Sequence, residues 1–290
     1  MLRRVPVPSY RRERLELEDG DFLDLDWLEE GGGRLVILSH GLEGSSRRVY
    51  MSGMARALAT KGFDVLAWNY RGCSGEPNRL LRSYHSGATE DLAAVVAHAA
   101  IRYESISLVG FSLGGNMTLK YLGECGDRTR AERAVVFSVP CDLASSSRYL
   151  ARLPARPYMA RFMRSLRDKV REKAEMFPGQ VPLDGLDRMG TFAEFDEAYT
   201  APWNGFLGAE DYWARASSLP YLQQIRRPTL MVQAWDDPFL PPACYPHREA
   251  EGSAYLSLLT TRHGGHVGFI GTGGSAWSEG VACEFLERSA

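Results

Sequence analysis

The chain has 290 residues, of which 44% are hydrophobic and 24% are charged, as is typical of a globular protein. Its 34 lysines and arginines are balanced by 36 acidic residues, so the sequence lacks the basic excess or stripe that would indicate a nucleic-acid partner. It also lacks a run of the roughly 18 apolar residues that would span a bilayer. From these exclusions we expect a soluble, cytoplasmic protein.

The N-terminal segment, residues 1–14, is basic and has no apolar core of signal-peptide length. Its five arginines are Arg3, Arg4, Arg11, Arg12 and Arg14. They could contact an acidic surface, but we favour a solvated N-terminal arm. The five cysteines of the chain are widely spaced and form no C-x-x-C pair, which favours small buried side chains over a disulfide framework or a zinc site.

Residues 21–27 alternate acidic and apolar side chains, which predicts a half-buried antiparallel strand. Strands are then predicted at 35–38, 64–68, 105–110 and 133–138, and helices at 49–60, 89–102 and 113–124. Thr89 is the predicted N-cap of the second helix, with acidic residues favourable in the first turn. This β-α-β-α order predicts an α/β fold with a mostly parallel, twisted sheet that is covered by helices on both faces.

Residues 141–219 break this order because they contain no convincing strand pattern. Residues 148–173 are basic and helical in period, interrupted early by Pro154 and Pro157, and residues 191–212 are rich in acids and aromatics. The alternation resumes with strands at 229–234 and 255–260 and helices at 241–250 and 275–286. We therefore predict a single domain over residues 1–290, with residues 141–219 inserted as a helical cap over one end of the sheet.

The strongest chemical signal is Gly110-Phe111-Ser112-Leu113-Gly114, which matches G-x-S-x-G between a predicted strand and a predicted helix. The two glycines permit a sharp turn that leaves the serine hydroxyl exposed at the tip of the strand. The following helix N-terminus favours negative charge. Ser112 is therefore the predicted nucleophile, and the alternative is a glycine-rich turn with a capping serine.

A serine hydroxyl needs a base, and the base needs an acid that fixes its tautomer. We favour His266 over His263 as the base because it lies farther from the end of the preceding strand, where a loop can reach over the serine. We favour Asp237 over Asp236 as the acid because Pro238 biases Asp237 to an extended backbone. The chain order Ser…Asp…His is the one expected of this fold. The alternatives are a histidine pair that binds metal, for which no third ligand is evident, and a solvated acidic turn.

The tetrahedral intermediate of acyl transfer requires backbone donors for its negative oxygen. His40-Gly41-Leu42 follows the predicted strand at 35–38, so the N–H groups of Leu42 and Leu113 are the candidate oxyanion-hole donors. His40 is interpreted as a structural residue of this loop rather than as a second base. The sequence has no Gly-Lys-Ser/Thr phosphate loop, no H-E-x-x-H and no dinucleotide fingerprint after a strand, so we predict neither a cofactor nor a metal.

The chain resembles the YheT-like family of α/β-hydrolases, a branch that also includes eukaryotic membrane-anchored relatives acting on lipid esters. Motifs shared with it run through nearly the whole chain: HGLEGSS from His40, NYRGCSGEPN from Asn69, YHSGATEDL from Tyr84, GFSLGGN from Gly110, SVPCDL from Ser138, AWDDPF from Ala234 and HGGHVGF from His263. TFAEFD and TAPWNGF fall within the predicted insertion. The resemblance implies the α/β-hydrolase fold, the same triad at Ser112, Asp237 and His266, and an esterase or lipase-like activity.

These observations predict a serine hydrolase that cleaves a small-molecule or lipid-like ester through an acyl-enzyme intermediate. Hydrolysis of thioesters or amides, and acyl transfer to an alcohol, use the same residues and remain alternatives. A non-catalytic binding protein on the same fold is a further alternative of a different class. The sequence leaves the acyl chain, the leaving group and the oligomeric state open.

Overall fold

The computed structural model describes residues 4–152, 156–271 and 276–288. Its strands are β1 (Arg11–Glu16), β2 (Phe22–Leu28), β3 (Arg34–Ser39), β4 (Asp64–Asn69), β5 (Ser105–Phe111), β6 (Ala131–Phe137), β7 (Thr229–Ala234) and β8 (Leu256–Thr261). They form one eight-stranded sheet in the order β1-β2-β4-β3-β5-β6-β7-β8. The β1–β2 and β2–β4 pairs are antiparallel and all the others are parallel, which confirms the predicted mostly parallel sheet.

The α-helices are α1 (Val49–Thr60), α2 (Thr89–Ala99), α3 (Leu113–Cys125), α4 (Leu143–Leu150), α5 (Arg156–Met176), α6 (Phe192–Phe195), α7 (Ala201–Trp203), α8 (Ala209–Ala216), α9 (His247–Glu251) and α10 (Trp277–Glu287). Helices α1 and α10 pack together on one face of the sheet, and α2 and α3 pack together on the other. The sheet is therefore covered on both faces, as predicted. Among the described residues, no helix is both long enough and apolar enough to cross a lipid bilayer.

The central strands owe their parallel arrangement to burial on both faces. Every residue of β4 is buried, as is every residue of β3 after Arg34. Because a parallel strand lies between two helical layers, its side chains are apolar in both directions, and the runs Leu35–Leu38 and Val65–Trp68 have this character. The parallel strands also point their carboxyl ends to one edge of the sheet, where the loops after β3, β5, β7 and β8 begin.

The prediction of a solvated N-terminal arm over residues 1–14 is wrong for residues 11–14, which belong to the edge strand β1. Arg12 and Arg14 lie directly across from Asp26 and Asp24 of β2 and bind their carboxylates in pairs of hydrogen bonds of 2.8–3.0 Å. These contacts also explain why β2 is buried along almost its whole length rather than half-buried. Cross-strand arginines cover its acidic face, which the alternation of acidic and apolar residues predicted to face solvent.

Two local predictions also fail. Thr89 does not cap α2, because the N-cap position is Ala88 and the Thr89 hydroxyl donates to Glu124 at 2.6 Å. The predicted helix at 241–250 is a 3₁₀ turn, Pro242–Cys244, followed by the short α9. Pro246 separates the two because the ring of a proline disfavours helical geometry at the preceding residue.

Helices α4–α8 all lie between β6 and β7, and the described residues of this segment contain no strand. Pro154 lies outside the described residues, whereas Pro157 occupies the first turn of α5, where a proline replaces no intrahelical hydrogen bond and so does not interrupt the helix. Two apolar clusters hold the segment together, one around α5 and one between α4 and α8. The aromatic stretch near 191–212 contains a one-turn π-helix, Asp196–Thr200.

Candidate active site

Ser112 lies at a sharp turn between β5 and α3 and has a left-handed backbone, with φ of +52°. A side chain on Gly110 or on Gly114 would collide with backbone atoms in this turn: a Cβ on Gly110 would lie 2.6 Å from the Gly114 carbonyl oxygen, and one on Gly114 would lie 2.4 Å from the Ser39 carbonyl oxygen. The two glycines of the motif therefore permit a strained turn that presents the serine hydroxyl at the strand tip.

We expect the Gly114→Ala variant to be destabilised by about 1–3 kcal/mol, because its new methyl group would overlap two backbone carbonyls that have no room to move. Gly280→Ala is the matched control, since Gly280 lies on the exposed side of α10 and a Cβ there would meet no atom within 4 Å. That control should gain about 0.5–1 kcal/mol from helix propensity. Urea unfolding measures both values. A Gly114→Ala variant as stable as the parent would contradict the close approach.

The structure brings Ser112, His266 and Asp237 into one hydrogen-bonded chain. The Ser112 Oγ lies 2.9 Å from the His266 Nε2, and the His266 Nδ1 lies 3.0 and 2.9 Å from the two carboxylate oxygens of Asp237. The Asp237 side chain is fully buried and also accepts a hydrogen bond from the Phe239 amide at 2.9 Å. The Phe239 ring packs against the imidazole with 4.1 Å between centroids. This arrangement can carry a proton from the hydroxyl to the imidazole and stabilise the resulting imidazolium.

The competing residues His263 and Asp236 lie beside this chain but outside it. The His263 side chain is 86% exposed and contacts Asp236 at 3.2 Å. Asp236 instead accepts the amide hydrogens of Gly264 and Gly265 at 2.9 and 2.8 Å, and the Gly265 amide is the main cause of its lowered pKa. Asp236 therefore ties the loop that carries His266 to the end of β7. Sequence reasoning identified the acidic pair but did not assign this anchoring contact.

The two candidate oxyanion donors flank Ser112. Leu113 is the first residue of α3, so its amide has no acceptor within the helix. The turn that carries Leu42 packs directly against Ser112, because a Cβ on Gly41 would lie 3.3 Å from the Ser112 Cβ. The Gly41 amide donates to the Tyr50 hydroxyl at 2.9 Å and so fixes the start of this turn. Leu42, Ser112, Leu113 and His266 line the same cavity.

His40 is fully buried beneath the same turn, and both of its ring nitrogens face backbone groups. Nδ1 lies 2.8 Å from the Gly41 carbonyl oxygen, and Nε2 accepts weakly from the Tyr70 amide at 3.4 Å. Burial lowers the pKa of His40 to about 3, so the ring is neutral at physiological pH. It holds the loop in place, in agreement with its interpretation as a structural residue.

The cavity in front of Ser112 is mostly apolar and extends beneath the helices between β6 and β7. Six of its apolar lining residues are Leu150, Phe162, Leu166, Phe192, Phe195 and Phe239. Apolar clefts with a few polar groups are typical of small-molecule sites. Within the part of the chain that the structure describes, no group of three histidine, cysteine or acidic residues is arranged to hold a metal ion.

One buried carboxyl group in this cavity was missed by sequence reasoning. Asp196 begins the π-helix, lines the same cavity as Ser112, and accepts a hydrogen bond from the Trp213 indole at 2.8 Å. Burial raises its pKa to about 6, with Thr200 and Trp213 opposing the shift through hydrogen bonds. Asp196 ends the TFAEFD stretch, but that motif assigns no role to its carboxyl group, so only its depth in the folded protein reveals it.

The raised pKa of Asp196 predicts a pH-dependent cost to stability. Between about pH 4 and pH 6 the folded state holds a proton that the unfolded state has lost, so the free energy of unfolding falls as the pH rises through this window. Asp196→Asn removes that cost. We expect the stability of the variant relative to the parent to be about 2 kcal/mol greater at pH 8 than at pH 4.5. Denaturant unfolding at the two pH values measures the difference, and an equal offset at both would contradict it.

Comparison with known proteins shows the family and the class of enzyme that the chain resembles. A family model described as "alpha/beta hydrolase fold" matches residues 34–271. The chain is 37% identical to "Putative esterase YheT" of Escherichia coli K12 over 268 residues, which cover 89% of this chain and 78% of that protein. It is 30% identical to "Phospholipase ABHD3" of Homo sapiens over 278 residues, which cover 91% of this chain and 68% of that protein. These matches indicate a hydrolytic enzyme.

Solved structures show the same architecture. The structure of the esterase Pf2001 of Pyrococcus furiosus superimposes on this chain with a TM-score of 0.66. The aligned residues cover 99% of this chain and 98% of the esterase chain. At 19% identity this likeness shows the fold alone. Together with the family model it confirms the predicted fold class.

Proposed function

The chain belongs to the YheT-like family of α/β-hydrolases, and on that premise we propose that it is a serine hydrolase that cleaves carboxylic esters through an acyl-enzyme intermediate. The observation that carries the proposal is the unbroken chain of hydrogen bonds from the Ser112 hydroxyl through His266 to the buried Asp237 carboxylate. Names given to relatives of the family, an esterase and a phospholipase, support the same class of reaction.

In the proposed reaction the Ser112 Oγ attacks the ester carbonyl carbon while the His266 Nε2 takes the hydroxyl proton. The negative oxygen of the tetrahedral intermediate accepts hydrogen bonds from the Leu42 and Leu113 amides. Each of these hydrogen bonds lowers the activation barrier by about 3 kcal/mol. His266 then gives its proton to the departing alkoxide, which leaves as an alcohol. A water molecule attacks the acyl-enzyme with His266 as base, and the acid and free Ser112 are released.

We also propose that residues 141–219 act as a cap within a single domain of 290 residues. The apolar lining that this segment contributes to the cavity suits an acyl chain, and it limits the entry of water. The substrate class under this proposal is a small-molecule or lipid-like ester. Thioesters, amides and acyl transfer use the same intermediate, so turnover of matched ester, thioester and amide substrates with one acyl chain discriminates among them.

A fluorophosphonate probe tests the proposal, because it phosphonylates a serine only where a base and an oxyanion site activate that serine. We expect the wild-type protein to be labelled and Ser112→Ala to remain unlabelled. Peptide mapping should place the adduct on Ser112. Absence of labelling in both proteins would reject the proposal and favour a binding protein on this fold.

A further inference from the structure

Glu43 lies next to Leu42 and has a left-handed backbone, with φ of +52°. Such a conformation is costly for a residue with a side chain, and it persists only where the surroundings hold it. Leu42 and Glu43 are the two central residues of the turn that the Gly44 amide closes by donating to the Gly41 carbonyl at 3.0 Å, so whatever holds Glu43 also sets the direction of the Leu42 amide. This inference rests on the proposed function, in which the Leu42 amide is an oxyanion donor.

Glu43 is held by contacts at every polar group it has. Its carboxylate accepts from the Tyr84 hydroxyl at 2.5 Å and from the Ser165 hydroxyl, and lies 3.0 Å from the Lys169 ammonium. Its amide donates to the Tyr84 hydroxyl at 3.0 Å, and its carbonyl accepts from the Arg48 guanidinium at 2.5 Å. The residue is 9% exposed, so these contacts replace water almost completely.

Two of these partners come from the proposed cap. Ser165 and Lys169 are one turn apart on α5, so both project toward the same carboxylate. Lys169 lies 4.8 Å over the Tyr84 ring and lines the cavity in front of Ser112. Burial opposes ionisation of Glu43, yet the charge of Lys169 and the hydroxyl donors keep the pKa of Glu43 below its usual value. The pair is therefore charged at neutral pH and joins α5 to the Leu42 turn.

We infer that Glu43 and Lys169 are positioning residues, whose ion pair holds the strained turn at residues 40–44 so that the Leu42 amide faces the developing oxyanion. The proposed cap therefore contributes to the rate of the chemical step as well as to substrate access. An amide that moves by about 1 Å loses much of its effect on a tetrahedral intermediate, since donor geometry must match the transition state before it forms.

A tether that merely keeps the cap closed would have a different kinetic signature. It would act on capture of the substrate, so that its loss would raise KM and leave kcat unchanged. A misplaced oxyanion donor would instead lower kcat, because the interaction it makes belongs to the transition state. The two roles are separated by measuring both constants in variants that remove one charge at a time.

The experiment compares Lys169→Met, Lys169→Arg and Glu43→Gln with the parent, using p-nitrophenyl butyrate and a boronic acid inhibitor that forms a tetrahedral serine adduct. Arg171→Met is the matched control, since Arg171 lies on the same helix and forms exposed ion pairs with Asp168 and Asp187. We expect kcat to fall about 10- to 100-fold in Lys169→Met and Glu43→Gln, with KM changed less than about 3-fold. The affinity for the boronate should fall by a similar factor. In the double variant Glu43→Gln/Lys169→Met, kcat should fall no further than in the more impaired single variant.

Lys169→Arg keeps the charge and should retain most of the parent kcat, as should Arg171→Met. Thermal unfolding of each variant establishes that it is folded under the assay conditions. Parent-like kcat in folded Lys169→Met and Glu43→Gln, or a rise in KM alone, would overturn the inference while leaving the hydrolase proposal in place. A wild-type protein that neither turns over the ester nor binds the boronate would instead reject the proposed function.

Discussion

Replacing His266 by alanine should lower kcat/KM for an ester by about 10⁴-fold or more, because Ser112 then has no base within reach. The imidazole is the only group placed between the Ser112 hydroxyl and the Asp237 carboxylate among the described residues, with 2.9 Å on the serine side. Its side chain is 14% exposed and belongs to a surface loop, so the fold should survive its loss. Turnover of a p-nitrophenyl ester measures the effect, and circular dichroism measures the fold.

His263→Ala is the matched control for this prediction. The residue lies in the same glycine-rich loop, three positions earlier, and its side chain is 86% exposed. The contact of its imidazole with Asp236 is supplementary to the two amide hydrogens that Asp236 already accepts. We therefore expect activity within about 3-fold of the parent, since exposed ion pairs contribute little. Full activity of His266→Ala together with an inactive His263→Ala would assign the base to the other histidine.

Asp237→Asn should lower kcat by about 10⁴-fold with the geometry of the site retained. Asparagine keeps the size of the side chain and can still accept from the Phe239 amide, as the Asp237 carboxylate does at 2.9 Å. Its amide hydrogens, however, would face the Nδ1 of His266 and select the tautomer that carries the proton on Nε2. A protonated Nε2 cannot accept the proton of the Ser112 hydroxyl. Pre-steady-state acylation with a p-nitrophenyl ester measures the loss directly.

Asp236→Asn is the matched control, because the two aspartates are adjacent in the chain and follow the same strand. The side-chain oxygen of the introduced asparagine would still accept from Gly264 and Gly265, so the loop should stay in place and activity should fall less than about 10-fold. An Asp236→Asn variant more impaired than Asp237→Asn would assign the orienting acid to Asp236.

The sequence was sufficient to predict the position of the candidate site because that position follows from chain topology. Ser112, Asp237 and His266 each come shortly after a strand of a parallel sheet, and the carboxyl ends of such strands meet at one edge. Hydrophobic periodicity locates those strands to within one or two residues, since buried runs such as Leu35–Leu38 have few alternative interpretations.

Features that depend on partners distant in the chain were not predictable in this way. The arginines of β1 were interpreted as solvated because nothing local to them reveals the acidic strand across which they lie. The contact between Glu43 and Lys169 joins residues 126 positions apart. Glu43 belongs to the HGLEGSS motif, but nothing in that motif indicates that Lys169 is its partner. Likewise, Asp196 is an ordinary acidic residue until the fold places it in the cavity. Pairing partners and burial depth are products of packing, not of local sequence pattern.

The charged edge of the sheet also affects how the protein behaves at high concentration. A strand at the margin of a sheet exposes unpaired amides and carbonyls to which another chain can add, and arginine side chains along it hinder that addition. Here β1 presents Arg11, Arg12 and Arg14 with side chains 34–51% exposed. The residues that neutralise the acidic face of β2 thus also protect the native protein from self-association by strand addition at this margin, a route that leads to insoluble aggregates.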